Sequence, residues 1–235
     1  SYTNRTIDLR NNQLMEATIE PATDEEIRNT IKVMGGEDWI LWIKALKEAG
    51  VLADGAKTVA YSYIGPELTY PIYKEGSIGQ AKKDLYASAD KIQAEIDGVE
   101  AYVSVNKAVV TQSSAAIPIV PLYLAILFKV MKEQKVQEGC IEQMYRMFHD
   151  RLCNGGAVVT DENRLIRMDD WEMEPKVQEA VAEIWQKIDQ DNLEEVTDLE
   201  GYWQEFYEIF GFRIDGVDYS ADVDADVQIP SIAAE

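Results

Sequence analysis

The chain has 235 residues, 46% hydrophobic and 28% charged, enough for one large domain or two small ones with a real core. Twenty-two Lys and Arg face 43 Asp and Glu, a formal net charge of -21. A surface that negative repels phosphate backbones and anionic lipid, which argues against nucleic-acid binding and polybasic membrane docking while allowing a phosphorylated cofactor held by a few local cations.

In chain order, residues 1–22 are polar and read as an extended approach to the first helix. Thr23-Asp-Glu-Glu26 has the form of a capping box with acids in the first turn. Ile27, Ile31 and Met34 form the apolar face behind it, and Gly35-Gly36 stops it. A second helix is predicted from about Asp38 to Ala49, with Trp39, Trp42, Ile43 and Leu46 as its apolar set and Gly50 at its end. The β-branched and aromatic run Lys57 to Ile64 predicts a strand that opens into a loop at Gly65-Pro66. Ser77 is placed to cap the next helix, whose stripe runs Ile78, Ala81, Leu85, Ala89, Ile92, Ile96 in steps of three and four. Val99 to Val110 predicts a second strand. Strand, helix, strand in this order predicts a βαβ unit and hence a parallel sheet in an α/β protein. Residues 113–235 are mostly helical in pattern. The predicted helices run from Pro121 to about Gln134, from Cys140 to Leu152, onward from Pro175 with a Val177, Val181, Ile184, Ile188 stripe, and from Tyr202 to Phe210. An acidic tail follows from Ser220.

Several chemistries are disfavoured by what the chain holds. Cys140 and Cys153 alone cannot close a structural zinc site, no other metal site is predicted, and two free thiols fit a reducing compartment. The single histidine, His149, sits in a helical pattern and reads as a helix-surface or packed residue; no G-x-S-x-G elbow accompanies it. Ser1 to Thr6 lacks the apolar run of a secretory signal. The longest apolar stretch, Ala115 to Phe128, is short and interrupted by Pro118 and Pro121, so no membrane span is expected. It reads as a buried loop and helix, or as the wall of an apolar pocket. Neither G-x-G-x-x-G nor a P-loop is present.

The segment from Tyr61 to Lys82 concentrates phenols and lysines around the predicted C-terminal end of a parallel strand, where α/β sheets bind ligands. A lysine ammonium beside a tyrosine favours the phenolate, and the same lysine can donate hydrogen bonds to ribose hydroxyls. Two pairings compete. Tyr70 and Lys74 have the Y-x-x-x-K spacing of short-chain dehydrogenases, which needs both on one helix, and Pro66 and Pro71 speak against such a helix. Tyr73 and Lys82 form Y-x8-K, with the tyrosine in the loop and the lysine on the first turns of the following helix. Spacing alone leaves the choice weakly supported, because a chain with 12 Tyr offers many Tyr-to-Lys spacings.

At these residues a resemblance becomes specific. Tyr61-Ser-Tyr-Ile-Gly-Pro-Glu67, Ile72-Tyr73, Gly76-Ser-Ile-Gly79 and Ala81-Lys-Lys-Asp-Leu85 resemble the trans-2-enoyl-CoA reductases, the FabV-type enoyl-acyl-carrier-protein reductases. Lys32-Val-Met-Gly-Gly-Glu-Asp-Trp39 matches upstream. Downstream, Val110-Thr-Gln112, Ile117 to Tyr123, Lys129-Val-Met-Lys132, Glu138 to Gln143, Asp169-Asp-Trp-Glu172 and Asp215-Gly-Val-Asp-Tyr219 match in order. The resemblance implies a monomeric or weakly associating NADH-dependent reductase, with a Rossmann-type parallel sheet and a largely helical substrate-binding region. It saturates the C2=C3 bond of an acyl-CoA or acyl-carrier-protein thioester in fatty acid synthesis. It makes Tyr73 the catalytic proton donor, Tyr63 a substrate contact, Lys82 a cofactor-binding lysine and Val109, Val110 and Thr111 the lining of the nicotinamide, with Ile117 to Leu127 a wall for the acyl chain.

Members of that family are longer. Residues 1–235 are therefore expected to form the C-terminal part of one reductase domain, 23–112 its βαβ and active-site portion and 113–235 its helical portion. The N-terminal part of the same enzyme, with the Gly-rich turn, is the expected partner. The family's occurrence points to the bacterial cytoplasm, with the mitochondrial matrix as the alternative. A competing reading is a structural or assembly subunit that kept the sequence and lost the cofactor.

Overall fold

The structure, a computed structural model, describes residues 1–224 and 226. It opens on a β-hairpin, β1 (Tyr2–Asp8) antiparallel to β2 (Gln13–Ile19), and not on the extended approach read from the sequence. Asn12, with φ of 54°, makes the left-handed turn residue that asparagine tolerates better than most. Only Thr6 and Ile7 of β1 are buried, so the hairpin lacks a clear apolar alternation. Tertiary contacts hold it. Arg5 donates to the carbonyls of Trp185 and Ile188, and the Thr6 hydroxyl accepts the Ile119 N–H.

Next come α1 (Asp24–Met34) and α2 (Glu37–Glu48). The Thr23 capping box forms as expected, with the Thr23 N–H donating to the Glu26 carboxylate at 2.7 Å. Gly35 and Gly36 separate the helices, and the Gly36 N–H donates to Asp84 Oδ2 at 2.9 Å. Of the predicted apolar set of α2, Ile43 is buried but Trp42 faces solvent, because its neighbours turn toward the next helix without it.

A parallel sheet follows in the order β3-β4-β5. The predicted βαβ unit is β3 (Ala56–Ser62), α4 (Ser77–Glu95) and β4 (Val99–Val105), with Ala56 opposite Val99 and Ser62 opposite Val105; a single-turn α3 (Tyr70–Tyr73) lies in the connection. Ala89, Ile92 and Ile96 of the α4 stripe are buried against Val99, Ala101 and Val103 of β4, as steps of three and four require. Both strands end earlier than their apolar runs suggest. Past Ser62 and Val105 the backbones bond to each other once more, Asn106 N–H to the Ser62 carbonyl, and then leave the sheet. The third strand, β5 (Leu165–Arg167), pairs parallel with Val103–Val105 and was not anticipated.

The second core is built on α6 (Val120–Glu133), which follows the short α5 (Gln112–Ala116). Leu122, Leu124, Ala125, Ile126, Leu127 and Phe128 of α6 are wholly buried, so this helix is apolar on all sides because protein surrounds it. Around it pack α8 (Pro175–Lys187), through Val177 and Val181, and α10 (Leu199–Glu208), through Tyr202; α9 (Leu193–Val196) links those two. The predicted helix from Cys140 is α7 (Cys140–Arg146), continued in π-helical form over Met147–Leu152. His149 is exposed there, stacked on Tyr145, with Nδ1 2.6 Å from Asp150 Oδ1. Both cysteines are free and exposed. Among the described residues no helix is long and apolar enough to cross a membrane. Most of the acidic tail expected from Ser220 lies outside the described residues.

Candidate active site

Beyond β3 the chain turns sharply. Gly65, at φ of 72°, takes a left-handed conformation, and a Cβ there would lie 2.6 Å from the Tyr63 hydroxyl. A 3-10 turn, Glu67–Thr69, then leads into α3. Pro71 lies in the first turn of α3, where the missing N–H costs nothing, so the helix excluded on the grounds of that proline does form. It carries Tyr70 at its start and Lys74 as its C-cap. Lys74 Nζ lies over the Tyr70 ring, 4.0 Å from its centroid, which is a packing contact with the ring face.

The α4 helix begins at Ser77 with Gly76 as N-cap and no side-chain cap, so Ser77 does not cap it as expected. Gly79 lets the first turn of α4 lie on the 70–74 turn, since a Cβ there would press into the Lys74 carbonyl and come within 2.9 Å of the Lys74 Cα. That close approach seats Tyr73 beside Lys82. Lys82 Nζ is 4.7 Å from the Tyr73 ring centroid and 5.7 Å from the Tyr63 ring centroid. The two tyrosine rings meet edge to face, 4.9 Å apart at 89°.

Burial decides the electrostatics. Lys82 is 9% exposed, and desolvation of its ammonium pushes its pKa down to about 7. Tyr73 is pushed up to about 12, by burial first and the Glu172 carboxylate second. From the sequence, the lysine is expected to favour the phenolate. Here the ammonium sits over ring faces and burial penalises both charged forms, so the shifts run the other way. The consequence is a Tyr73 that keeps its proton at neutral pH, together with a lysine that has no hydrogen-bond or ion-pair partner among the described residues.

Two cavities lie at this turn, and Tyr73 and Lys82 line the first. One, of about 350 Å³, is lined by Ile64, Gly65, Tyr70, Tyr73, Lys82 and Met173 among others. The second, of about 420 Å³, is lined by Leu68, Tyr70, Tyr123, Met173, Val181 and Trp185 among others. Tyr70 and Met173 belong to both walls, so the cavities are neighbours. The predicted acyl wall, Ile117 to Leu127, contributes only Tyr123 to the second cavity, because most of that stretch is spent in the core around α6. The rest of the second cavity's lining comes mainly from α8 and the 66–70 turn. Val109, Val110 and Thr111 line neither cavity. Val110 is buried in the core, and the Thr111 hydroxyl caps α5 by accepting the Ser114 N–H at 2.9 Å.

A network around Glu172, which the sequence reading did not single out, lies beside the pair. Glu172, wholly buried, accepts the hydroxyl of Tyr63 at 2.9 Å and of Tyr123 at 2.6 Å on Oε1, and the Ala108 N–H at 2.7 Å on Oε2. Gln178 donates to the Glu172 carbonyl at 2.7 Å and to the Tyr123 hydroxyl at 3.2 Å. Burial pushes Glu172 up, while its hydrogen bonds and the nearby Lys107 ammonium oppose the shift. The Tyr63 hydroxyl thus donates to a buried carboxylate in this structure. The signal for Glu172 was β5: Tyr63, Ala108 and Glu172 follow the C-terminal ends of the three parallel strands, the edge at which such sheets bind ligands.

A family model described as the trans-2-enoyl-CoA reductase catalytic region matches residues 1–153, and one described as the enoyl reductase FAD binding domain matches 160–223. In that second stretch Val177, Val181, Leu193 and Tyr202 are packed into the core and no Gly-rich strand-to-helix turn is present, so its residues do not fit a flavin dinucleotide. The trans-2-enoyl-CoA reductase (NADH) of Ruminiclostridium cellulolyticum is 54% identical over 99% of this chain and 59% of its own length. The enoyl-acyl-carrier-protein reductase (NADH) of Psychromonas ingrahamii is 53% identical, again over 99% of this chain and 59% of its own. The crystal structure of Treponema denticola trans-2-enoyl-CoA reductase in complex with NAD superposes with a TM-score of 0.91 at 49% identity, covering 94% of this chain and 56% of that one. The chain thus spans under two thirds of the length of the relatives it matches. Matched along its catalytic region and by relatives of this identity, the chain belongs to the trans-2-enoyl-CoA reductase family.

Proposed function

We propose that this chain supplies the proton-donor side of an NADH-dependent reductase that saturates the C2=C3 bond of a trans-2-enoyl thioester carried on coenzyme A or acyl carrier protein. One observation carries the reading: a buried, protonated Tyr73 beside an unpartnered Lys82, both on one cavity wall. Bound NADH supplies the hydride that adds to C3. Tyr73 faces the charge that then develops on the thioester oxygen and donates a hydrogen bond to it, with its proton retained until that charge appears. Tyr73 gives up its proton, C2 gains one, and solvent restores the phenol, which completes the reduction. Lys82 offers its donors to cofactor ribose hydroxyls, a role that fits a nine-tenths buried amine with nothing else to bond. Val109, Val110 and Thr111 are assigned the nicotinamide side, Val110 and Thr111 through their backbone, since the Val110 side chain is in the core and the Thr111 hydroxyl caps α5. The apolar cavity of Leu68, Val181 and Trp185 takes the acyl chain. The Gly-rich turn that grips the rest of the dinucleotide belongs, in this reading, to the further length that the relatives possess.

The test is a chimera in which these 235 residues replace the matching stretch of the Ruminiclostridium cellulolyticum enzyme, assayed by NADH oxidation with crotonyl-CoA. Turnover is expected, and Tyr73→Phe should lower kcat on the order of 10² to 10⁴-fold. A chimera that folds but does not turn over, or one indifferent to Tyr73→Phe, refutes the assignment.

A further inference from the structure

The two cavities at the Tyr73 turn have only Tyr70 and Met173 in common, so these two side chains form the partition between them. The two sides of the partition are built differently. Tyr70 starts α3, is followed by Pro71, and has Lys74 Nζ 4.0 Å from its ring centroid, so its ring is held by that turn. Met173 has a fixed backbone, because its N–H donates to the Asp169 carbonyl at 2.9 Å and the preceding Glu172 is wholly buried and accepts three donors. Its side chain is half-buried and unbranched, a flexible thioether that changes rotamer at little cost. Beyond the partition stand Leu68, Val181, Ala182 and Trp185. The polar groups of Tyr123 and Gln178 in the same wall are already paired with each other and with Glu172. That wall favours hydrocarbon over a hydrogen-bonding ligand.

We infer that Met173 is a specificity-determining residue: it is the movable side of a gate, with Tyr70 as the fixed side, that sets how well acyl chains longer than the crotonyl group are accepted. The inference rests on the functional reading above, which puts the reacting double bond beside Tyr73 in the first cavity. A crotonyl chain ends one carbon beyond C3 and needs no passage. A longer chain has to cross between Tyr70 and Met173 to reach the apolar wall. Each methylene seated there contributes roughly a fourfold gain in kcat/KM, so the gate decides whether added length helps or hinders.

The test compares kcat/KM for trans-2-dodecenoyl-CoA with that for crotonyl-CoA in the chimera. Met173→Ala removes the movable side and should raise the long-to-short ratio at least about tenfold, less than the worth of two seated methylenes. Met173→Phe, bulkier and stiffer, should lower the same ratio at least about tenfold. A Met173 that only supports the fold lowers both substrates alike and leaves the ratio where it was. A smaller rise in Met173→Ala, or a fall, overturns the inference. Should that variant fail to fold, Met173→Phe decides, and a ratio that it does not lower overturns the inference in the same way. A folded, unmutated chimera that turns over neither substrate counts against the functional reading. Calorimetric binding of dodecanoyl-CoA and butyryl-CoA to that chimera then decides the gate. Met173→Ala should raise the ratio of the two affinities at least about tenfold, and an unchanged ratio overturns the inference without any turnover being measured.

Discussion

Lys82→Met should make the protein more stable, and by an amount that depends on pH. The side chain is 9% exposed and its pKa falls from 10.5 to about 7 on folding, for which burial is the sole cause. Between those two values the unfolded chain binds the proton that the folded chain has lost, so wild-type stability rises with pH through that window. Below about pH 7 both states are protonated and the penalty is at its full, constant size. Linkage puts that penalty at roughly 4 kcal/mol at pH 7 and about 2 kcal/mol at pH 9. Methionine has a similar length and no charge, and it forfeits the contacts of the ammonium with the Tyr73 and Tyr63 rings, about 1 kcal/mol. The variant should therefore exceed wild type by roughly 3 kcal/mol at pH 7, and the gap should close by about 2 kcal/mol at pH 9. Urea titrations at pH 7, 8 and 9 with an unchanged m-value measure it. A gap that does not move with pH refutes the reasoning, whatever its size. The same variant should lose NADH affinity if Lys82 has the assigned role, a trade of function for stability that buried active-site charges commonly show.

Gly79→Ala forces a methyl against the backbone of Lys74, and neither backbone can yield locally. Separating α4 from the 70–74 turn should cost about 1–3 kcal/mol, seen as a lower Tm, and an ångström between Tyr73 and Lys82 should cost on the order of 10²-fold in kcat. Parental values of both contradict the close approach. Thr111→Ala removes the acceptor for the Ser114 N–H while Ser114 Oγ still accepts the Thr111 N–H. A loss of about 1 kcal/mol in urea unfolding is expected. A raised KM for NADH at nearly constant kcat should accompany it, because the 109–111 backbone then loosens.

Local rules sufficed where an element's residues satisfy them alone. The Thr23 capping box and the α4 stripe were legible because each is a short-range pattern that packing then reinforces. The opening hairpin was not legible, since what holds it is Arg5 reaching α8 and Thr6 reaching Ile119, partners more than a hundred residues away. Pro71 misled for a different reason: proline forbids a helix interior but suits a first turn, and α3 is only one turn long. The strand run from Val99 to Val110 overshot because Lys107 and Val110 are buried by the loop around Glu172 and α6, and apolar composition does not distinguish that burial from a sheet.

The site was half legible on the same grounds. Tyr73 and Lys82 lie nine positions apart in one segment, so a spacing argument could reach them, although it left out the burial that outweighs their mutual attraction. Glu172 lies about a hundred positions away from them and is one of 43 acidic residues in a chain whose acids mostly face water. Nothing in its neighbours marks it as one of the few acids that are buried among the described residues. What would have marked it is β5, a strand of three residues held by pairing with Val103–Val105 and too short to show a period of two. A parallel sheet gathers the residues beyond its strand ends at one edge, so each strand that goes unseen removes one contributor from the site. With two strands in view the edge offers two phenols and a lysine, and they look equivalent in their chemistry. Adding the third strand brings the carboxyl that accepts the Tyr63 hydroxyl, while the Tyr73 hydroxyl keeps no partner among the described residues.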